Sequence, residues 1–395
     1  MKALRLAIVV HGRFHAFDLA KALIRAGTDT TVFTNYPRSV AAKFGVPPER
    51  VTNCVWHGVA TRLLARLPSR VAPVLREKWS HEAFGRWAAR RVEPTRYDTV
   101  HCFSGVAEEL WRKLADAKAV RSLLRGSAHI ETQHDILAEE ERLAGVPLDK
   151  PSEWMRAREQ REYGLADQIV VLSGFARESF LARGVPAKRV RLVPLGSDLA
   201  RFTAEPAVLA ERRRRILAGE PLRVLTVGTW SHQKGVAYLQ EIARQLTRAH
   251  RFRFVGAVGP DAQNLAKTAR QWIEFRPRVS QDQLPSEYAW GDIFLFPTLQ
   301  DGYAVVLAQA FAEGLIVLAS KNCGAPELVA EGRTGWLVPI RDVAGMVRQL
   351  QWCDQHRVET ASMVEAVSRA VERRDWQAVA DDLLQTFTIS ATNKQ

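Results

Sequence analysis

The stretch Asp292–Glu327 reads DIFLFPTLQDGYAVVLAQAFAEGLIVLASKNCGAPE, and it decides the fold. Ile293–Phe296 is a short apolar run that Pro297 ends, and Gln300, Asp301 and Gly302 spell a turn. Ala304–Ala312 is apolar and rich in Ala and predicts a helix, closed by Gly314. Leu315–Ala319 is apolar again and predicts a second buried strand. Strand, helix, strand at this spacing is a βαβ unit, and parallel sheets place ligand sites at the carboxyl ends of their strands. Asp301 stands at that end, just before the helix. Gln309 follows eight residues later, about two helical turns on. Two polar side chains so placed can reach two ends of one elongated ligand.

The same pattern recurs on either side. Upstream, Leu222–Val227 predicts a strand, then comes Gly228-Thr229-Trp230-Ser231-His232-Gln233-Lys234-Gly235, then a helix through Arg248. Turn amides with one lysine charge suit a diphosphate, although a surface lysine before a helix gives the same letters. At the start, Leu4–Val10 predicts a strand, His11-Gly12-Arg13 a turn, Phe14–Ala26 a helix ended by Gly27, and Asp29–Thr34 a second strand. That helix start offers free amides to an anion. A lone glycine is not the GxGxxG fingerprint, however, and a plain tight turn fits equally well. Thr99–Phe103, Arg121–Leu124, Gln168–Leu172 and Val190–Pro194 are further strands between helices. Two βα-rich halves follow, with a hinge near Gly196. We expect an α/β protein of two Rossmann-like domains, 1–196 and 205–369, facing a cleft, with a helix at 370–390 packing back on the first.

Composition narrows the partners. The 395 residues suffice for two cores, and 47% hydrophobic with 25% charged residues is ordinary for a globular chain. The net charge of +13 is not ordinary and points to an anionic partner: phosphate ligands, a membrane surface or nucleic acid. No aromatic-basic reader motif favours nucleic acid. Cys54, Cys102, Cys323 and Cys353 are too scattered for a zinc site, and a reduced cytoplasmic protein is expected. The apolar start is too short for a signal peptide, and no run approaches a membrane span.

Val59–Arg91 concentrates the charge. Arg62 and Arg66 share a helical face, Arg70 continues the spacing past Pro68, and Arg76, Lys78, Arg86, Arg90 and Arg91 follow. Leu63, Leu64, Leu67, Val71, Val74, Leu75, Trp79 and Trp87 lie among them. A basic amphipathic stretch with tryptophans suits an anionic membrane surface. Two ordinary helices with leucines inward and arginines in water fit as well.

The central stretch resembles glycosyltransferase family 4, whose members carry Glu-x7-Glu in this place, with Asp301-Gly302-Tyr303-Ala304 for the first acid and Gln309 for the second. The phrases GRFHAFDLAKAL, LLRGSAHIETQHDILAEEERLAG, ADQIVVLSGFARESFLARGVPAKRVRLVPLGSDLARF and Gly335-Trp336-Leu337-Val338 resemble the family too. The resemblance implies the GT-B fold and a retaining transfer from a nucleotide-sugar donor to a saccharide or lipid-linked acceptor. Such enzymes serve bacterial cell-surface polysaccharide or glycolipid synthesis at the inner face of the membrane. It assigns Asp301 to the donor sugar's hydroxyls, with the amides of Gly302, Tyr303, Ala304 and Val305 beside it, and Gln309 to the ribose. Lys234 is matched to the diphosphate, with Thr229 where relatives carry an arginine. Gly12 and Arg13 are matched to the donor side of the first domain, and His129 to a position near the reacting sugar. An Asp-x-Asp metal motif is absent, so Lys234 and helix-end amides are expected to hold the diphosphate without a metal or other cofactor. Thr229 and Gln309 leave room for a catalytically degenerate binding subunit, and the fold also hosts nucleotide-sugar epimerases.

Overall fold

The protein is described here by a computed structural model of residues 3–65, 73–196, 201–370 and 374–392. The first sheet has seven strands: β1 (Arg5–Val10), β2 (Asp29–Thr34), β3 (Val51–Asn53), β4 (Thr99–Phe103), β5 (Val120–Arg125), β6 (Gln168–Val171) and β7 (Val190–Leu192). They are ordered 3-2-1-4-5-6-7. The second has six: β8 (Leu222–Trp230), β9 (His250–Val258), β10 (Ile273–Arg276), β11 (Ile293–Phe296), β12 (Ile316–Ser320) and β13 (Gly335–Val338), ordered 10-9-8-11-12-13. Every ladder between them is parallel.

Parallel strands covered on both faces read as unbroken apolar runs, because successive side chains point to opposite layers. In β1, Ala7 and Val9 join one core cluster with Phe84, Leu110 and Trp111, while Leu6, Ile8 and Val10 join another with Phe17 and Leu23. In β11, Ile293 and Leu295 face Trp230 and Leu239, and Phe294 and Phe296 face Leu307 and Phe311. Each fully buried side chain of this size stabilises the fold by about 2 kcal/mol. The helix Trp376–Thr392 returns to the first sheet: Val379, Ala380, Leu383 and Phe387 sit in the cluster of Leu6 and Ile8. Gln168 of β6 donates to Thr386 at 3.1 Å and accepts from Ser390 at 2.5 Å.

One strand runs further than its residues suggest. β8 continues through Gly228, Thr229 and Trp230, which look like turn residues but pair with Gly256, Ala257 and Val258 of β9. The pairing needs a bare backbone at Gly256, where a Cβ would lie 1.7 Å from the Gly228 carbonyl oxygen. The basic stretch forms two helices, Val55–Ala65 and Pro73–Arg91. Arg66, Leu67, Pro68, Arg70 and Val71 lie outside the described residues.

Candidate active site

In each sheet the chain reverses its direction of travel across the layer between two neighbours, β1 and β4 in the first, β8 and β11 in the second. Ligands of doubly wound sheets bind beyond the carboxyl ends at such points. Here the two points share one cleft of about 640 Å³. Phe14, Phe103 and Ser104 reach it from the first, and Gly228, Thr229, Lys234 and Phe296 from the second.

Lys234 ends the turn His232–Lys234, and Gly235 closes that turn in the left-handed region at φ 70°. Only glycine fits there: an added Cβ would stand 1.9 Å from the Pro297 carbonyl oxygen. The tight packing aims the lysine at the loop after β11. Its ammonium forms an ion pair with the Asp301 carboxylate and lies 5.7 Å from the centroid of the Phe296 ring. Both side chains of the pair are about a fifth exposed, so a polar ligand can reach either one. Asp301 is held in turn. Its amide donates to the Asn322 carbonyl at 2.9 Å, and its carboxylate accepts the Tyr303 amide at 3.3 Å.

Ala304 caps the helix Val305–Ala312 from a left-handed backbone, φ 64°. Tyr303, Ala304, Val305 and Val306 line the cleft, so the positive end of that helix opens onto it. The walls meet at Gly302, where a Cβ would lie 1.9 Å from the Gly126 carbonyl oxygen. Ser127 also donates to Gln300 across the same seam at 2.6 Å.

Lys234, Thr229, Asp301, Tyr303, Ala304 and Val305 thus gather as the sequence pattern suggests. Other expected residues do not line the cleft. His129 caps the helix Ile130–Ala144, its Nδ1 accepting the Glu131 amide at 3.2 Å. Its ring packs between Tyr163 and Phe180, at 5.0 Å from each, and burial with nearby Arg183 pulls its pKa down to about 4. A neutral capping histidine on a different cavity is the structural outcome. Gln309 is buried beneath the helix, where it accepts from Tyr288 at 3.0 Å and donates to Gln281 at 3.4 Å. The Gly12 amide already donates to Asn35 at 2.9 Å, and Arg13 stacks over Phe44 at 4.3 Å. Gly302 serves the seam rather than the cleft lining.

Sequence reasoning missed the opposite wall. Arg125 at the end of β5 and Glu159 on the helix Glu153–Leu165 pair at 3.2 Å, and both line the cleft with His81, Ser104 and Gln133. Burial opposes the Arg125 charge, but Glu159, Tyr163 and Glu162 together outweigh it and raise the pKa. Glu159 also accepts from Ser104 at 3.3 Å and Tyr163 at 2.5 Å. The strand-end position of Arg125 was a usable signal; Glu159 sits within a helix and gave none.

Two parallel sheets with interleaved helices and a shared cleft at their switch points define the GT-B architecture. The same organisation is seen in the crystal structure of Anabaena Alr3699/HepE in complex with UDP. The likeness has a TM-score of 0.67 at 15% identity, covering 98% of this chain and 100% of that one. Residues 13–201 match the family model for Glycosyltransferase Family 4, and residues 221–355 the model for Glycosyl transferases group 1. Together the models span most of the chain, which belongs to the glycosyltransferases of family 4.

Among curated relatives, the GDP-mannose-dependent alpha-(1-6)-phosphatidylinositol monomannoside mannosyltransferase of Mycobacterium tuberculosis is 31% identical over 45% of this chain and 50% of its own length. The amylovoran biosynthesis glycosyltransferase AmsK of Erwinia amylovora is 25% identical over 56% of this chain and 55% of its own. The chain thus spans about half the length of these relatives.

Proposed function

We infer that the protein is a retaining glycosyltransferase, moving a sugar from a nucleotide-sugar donor to a saccharide or lipid-linked acceptor without a metal. The observation that carries this reading is the Lys234–Asp301 pair at the mouth of the helix Val305–Ala312. Within the cleft the two charges satisfy each other. A donor exchanges that partnership for two new ones: its diphosphate takes the lysine and the helix end, and its sugar hydroxyls take the carboxylate. As the glycosidic bond breaks, negative charge grows on the leaving nucleoside diphosphate, where the lysine and the helix amides already point. The names of the relatives, which act in polysaccharide and glycolipid synthesis, support the acceptor class.

The surface supports an anionic membrane as the place of work. Trp56, Val59, Leu63, Val74 and Leu75 are exposed, beside exposed Arg62, Lys78, Arg86, Arg90 and Arg91. Leucines turned outward among cations favour a lipid surface over a buried packing face. The tryptophans expected there behave otherwise: Trp79 stacks on buried His57 at 5.5 Å and Trp87 packs on the core, so Trp56 takes the surface place. No helix among the described residues is long and apolar enough to cross a membrane.

Thermal unfolding with UDP, GDP, ADP, CMP or dTDP tests the reading. A ligand bound only by the folded state adds about 2.7 kcal/mol at a hundredfold excess over its dissociation constant. One nucleotide is expected to raise the melting temperature, and Lys234→Met to abolish the rise. No rise with any nucleotide would sink donor binding and favour the degenerate-subunit reading.

A further inference from the structure

Three described residues other than glycine occupy the left-handed region: Phe14 at φ 41°, Ala304 at 64° and Arg341 at 66°. Two of them, Phe14 and Ala304, line the same cleft. Ala304 has an evident task as a helix cap. Phe14 has none of that kind, since the helix Ala16–Arg25 starts after it with His15 as its cap. A bulky residue is strained in this region, and such strain gathers at ligand sites. The residue is also 66% exposed, which forgoes the gain of burying it.

The ring is nonetheless held. It stacks on Phe103 with centroids 5.9 Å apart and planes 23° apart, and a Cβ on Gly12 would come within 3.3 Å of its edge. The result is a fixed aromatic plate at the cleft. The same cleft is also lined by the Arg125–Glu159 pair, with side chains 12% and 5% exposed, and Arg125 donates to Gln133 at 2.6 Å.

A flat ring with a nearly buried, charge-balanced pair fits a pyranose, which has an apolar C–H face and a rim of hydroxyls that both donate and accept. A lipid chain would use the ring and leave the pair unused. A free anion would seek Arg125 but meet a charge that Glu159 cancels. The donor groups Lys234 and Asp301 belong to the second domain, so this wall falls to the other substrate. We propose that Phe14 is the stacking platform for the acceptor sugar and that the Arg125–Glu159 pair reads its hydroxyls. The proposal rests on the glycosyl-transfer reading.

The test uses the full chain, with and without the nucleotide that stabilises it, and saturation-transfer NMR with methyl glycosides of glucose, galactose and mannose as probes. At least one glycoside is expected to bind the wild type. Phe14→Gly is expected to weaken that glycoside about tenfold, the loss of one aromatic contact. It should leave the nucleotide shift intact and the melting temperature no lower than wild type, since the backbone strain is released. Phe14→Tyr should restore binding. A melting temperature lowered in Phe14→Gly with glycoside binding kept would mark the ring as a packing residue and overturn the proposal. So would a loss of glycoside and nucleotide together, or no glycoside signal from a wild type that binds nucleotide. A wild type that binds no nucleotide at all instead removes the transfer reading on which the proposal stands.

Discussion

Asp301 and Lys234 compete with the ligand proposed for them. An ammonium already partnered by a carboxylate attracts phosphate less, because the neighbouring negative charge repels the anion. The two residues should therefore give opposite effects on affinity. Asp301→Asn is expected to tighten nucleoside diphosphate binding several-fold in calorimetry, while transfer falls by about a hundredfold as the sugar loses its acceptor group. Lys234→Met is expected to weaken binding and transfer together. Equal losses of affinity in both variants would show that the pair does not exchange partners. The acid, the lysine and the residues from Tyr303 to Val305 were legible because each stands next to a strand or helix end in the chain. Glu159 was not, because its place depends on how the helix Glu153–Leu165 packs over β5, a tertiary fact that no local spacing records. Gln309 misled for a related reason: two helical turns along from Asp301 is also one face further round, and there it meets Tyr288 instead of the cleft.

Elements from the two domains are joined at the helix Ile130–Ala144. Its Glu140 is 2% exposed and accepts from Tyr238 at 2.7 Å and Arg341 at 3.0 Å, both on the second domain. Arg341 holds a left-handed backbone and also reaches Glu139 at 2.8 Å and the Ile136 carbonyl at 3.3 Å. Tyr238 lies in the helix Val236–Leu246, which starts two residues after Lys234, so the latch and the proposed diphosphate site are neighbours in the chain. Burial works against the Glu140 charge, but its hydrogen bonds and Arg341 prevail and lower its pKa. Breaking such a buried pair costs about 3 kcal/mol. Glu140→Ala is expected to lose that much in urea unfolding and to expand the particle in small-angle scattering. An unchanged scattering profile would show that other contacts, such as the seam at Gly302 and the Gly174 amide on Glu327, suffice to hold the domains together. At this scale the sequence served well for the β11 unit, where an apolar run, a turn and an Ala-rich helix agree. It served poorly at the end of β8, where glycine and polar letters resemble a loop although the facing Gly256 lets the strand continue.

Over the whole molecule the net charge of +13 has to be apportioned. Many arginines are spent on paired carboxylates, such as Arg121 with Asp167 and Arg158 with Glu109. The helices Val55–Ala65 and Pro73–Arg91 instead show exposed cations beside exposed leucines. The chain is expected to co-sediment with phosphatidylglycerol vesicles at low salt, to ignore phosphatidylcholine vesicles, and to be released by about 0.5 M salt, where screening is short-ranged. Leu63→Glu with Leu75→Glu should abolish the binding without changing nucleotide stabilisation. Binding retained by that double variant would move the attraction elsewhere on the surface.

The returning helix Trp376–Thr392 has a consequence for how the chain is made. It completes the cluster of Leu6, Ile8 and Phe17, although nearly the entire second domain is translated before it. The two passages between the domains touch, since a Cβ on Gly196 would stand 2.4 Å from the Asp375 carbonyl oxygen. The second domain is thus a loop grown out of the first at a single neck. During synthesis it has all its strands while its host still shows a bare apolar face to its surroundings. Of the two units, the one begun earlier is the one completed later.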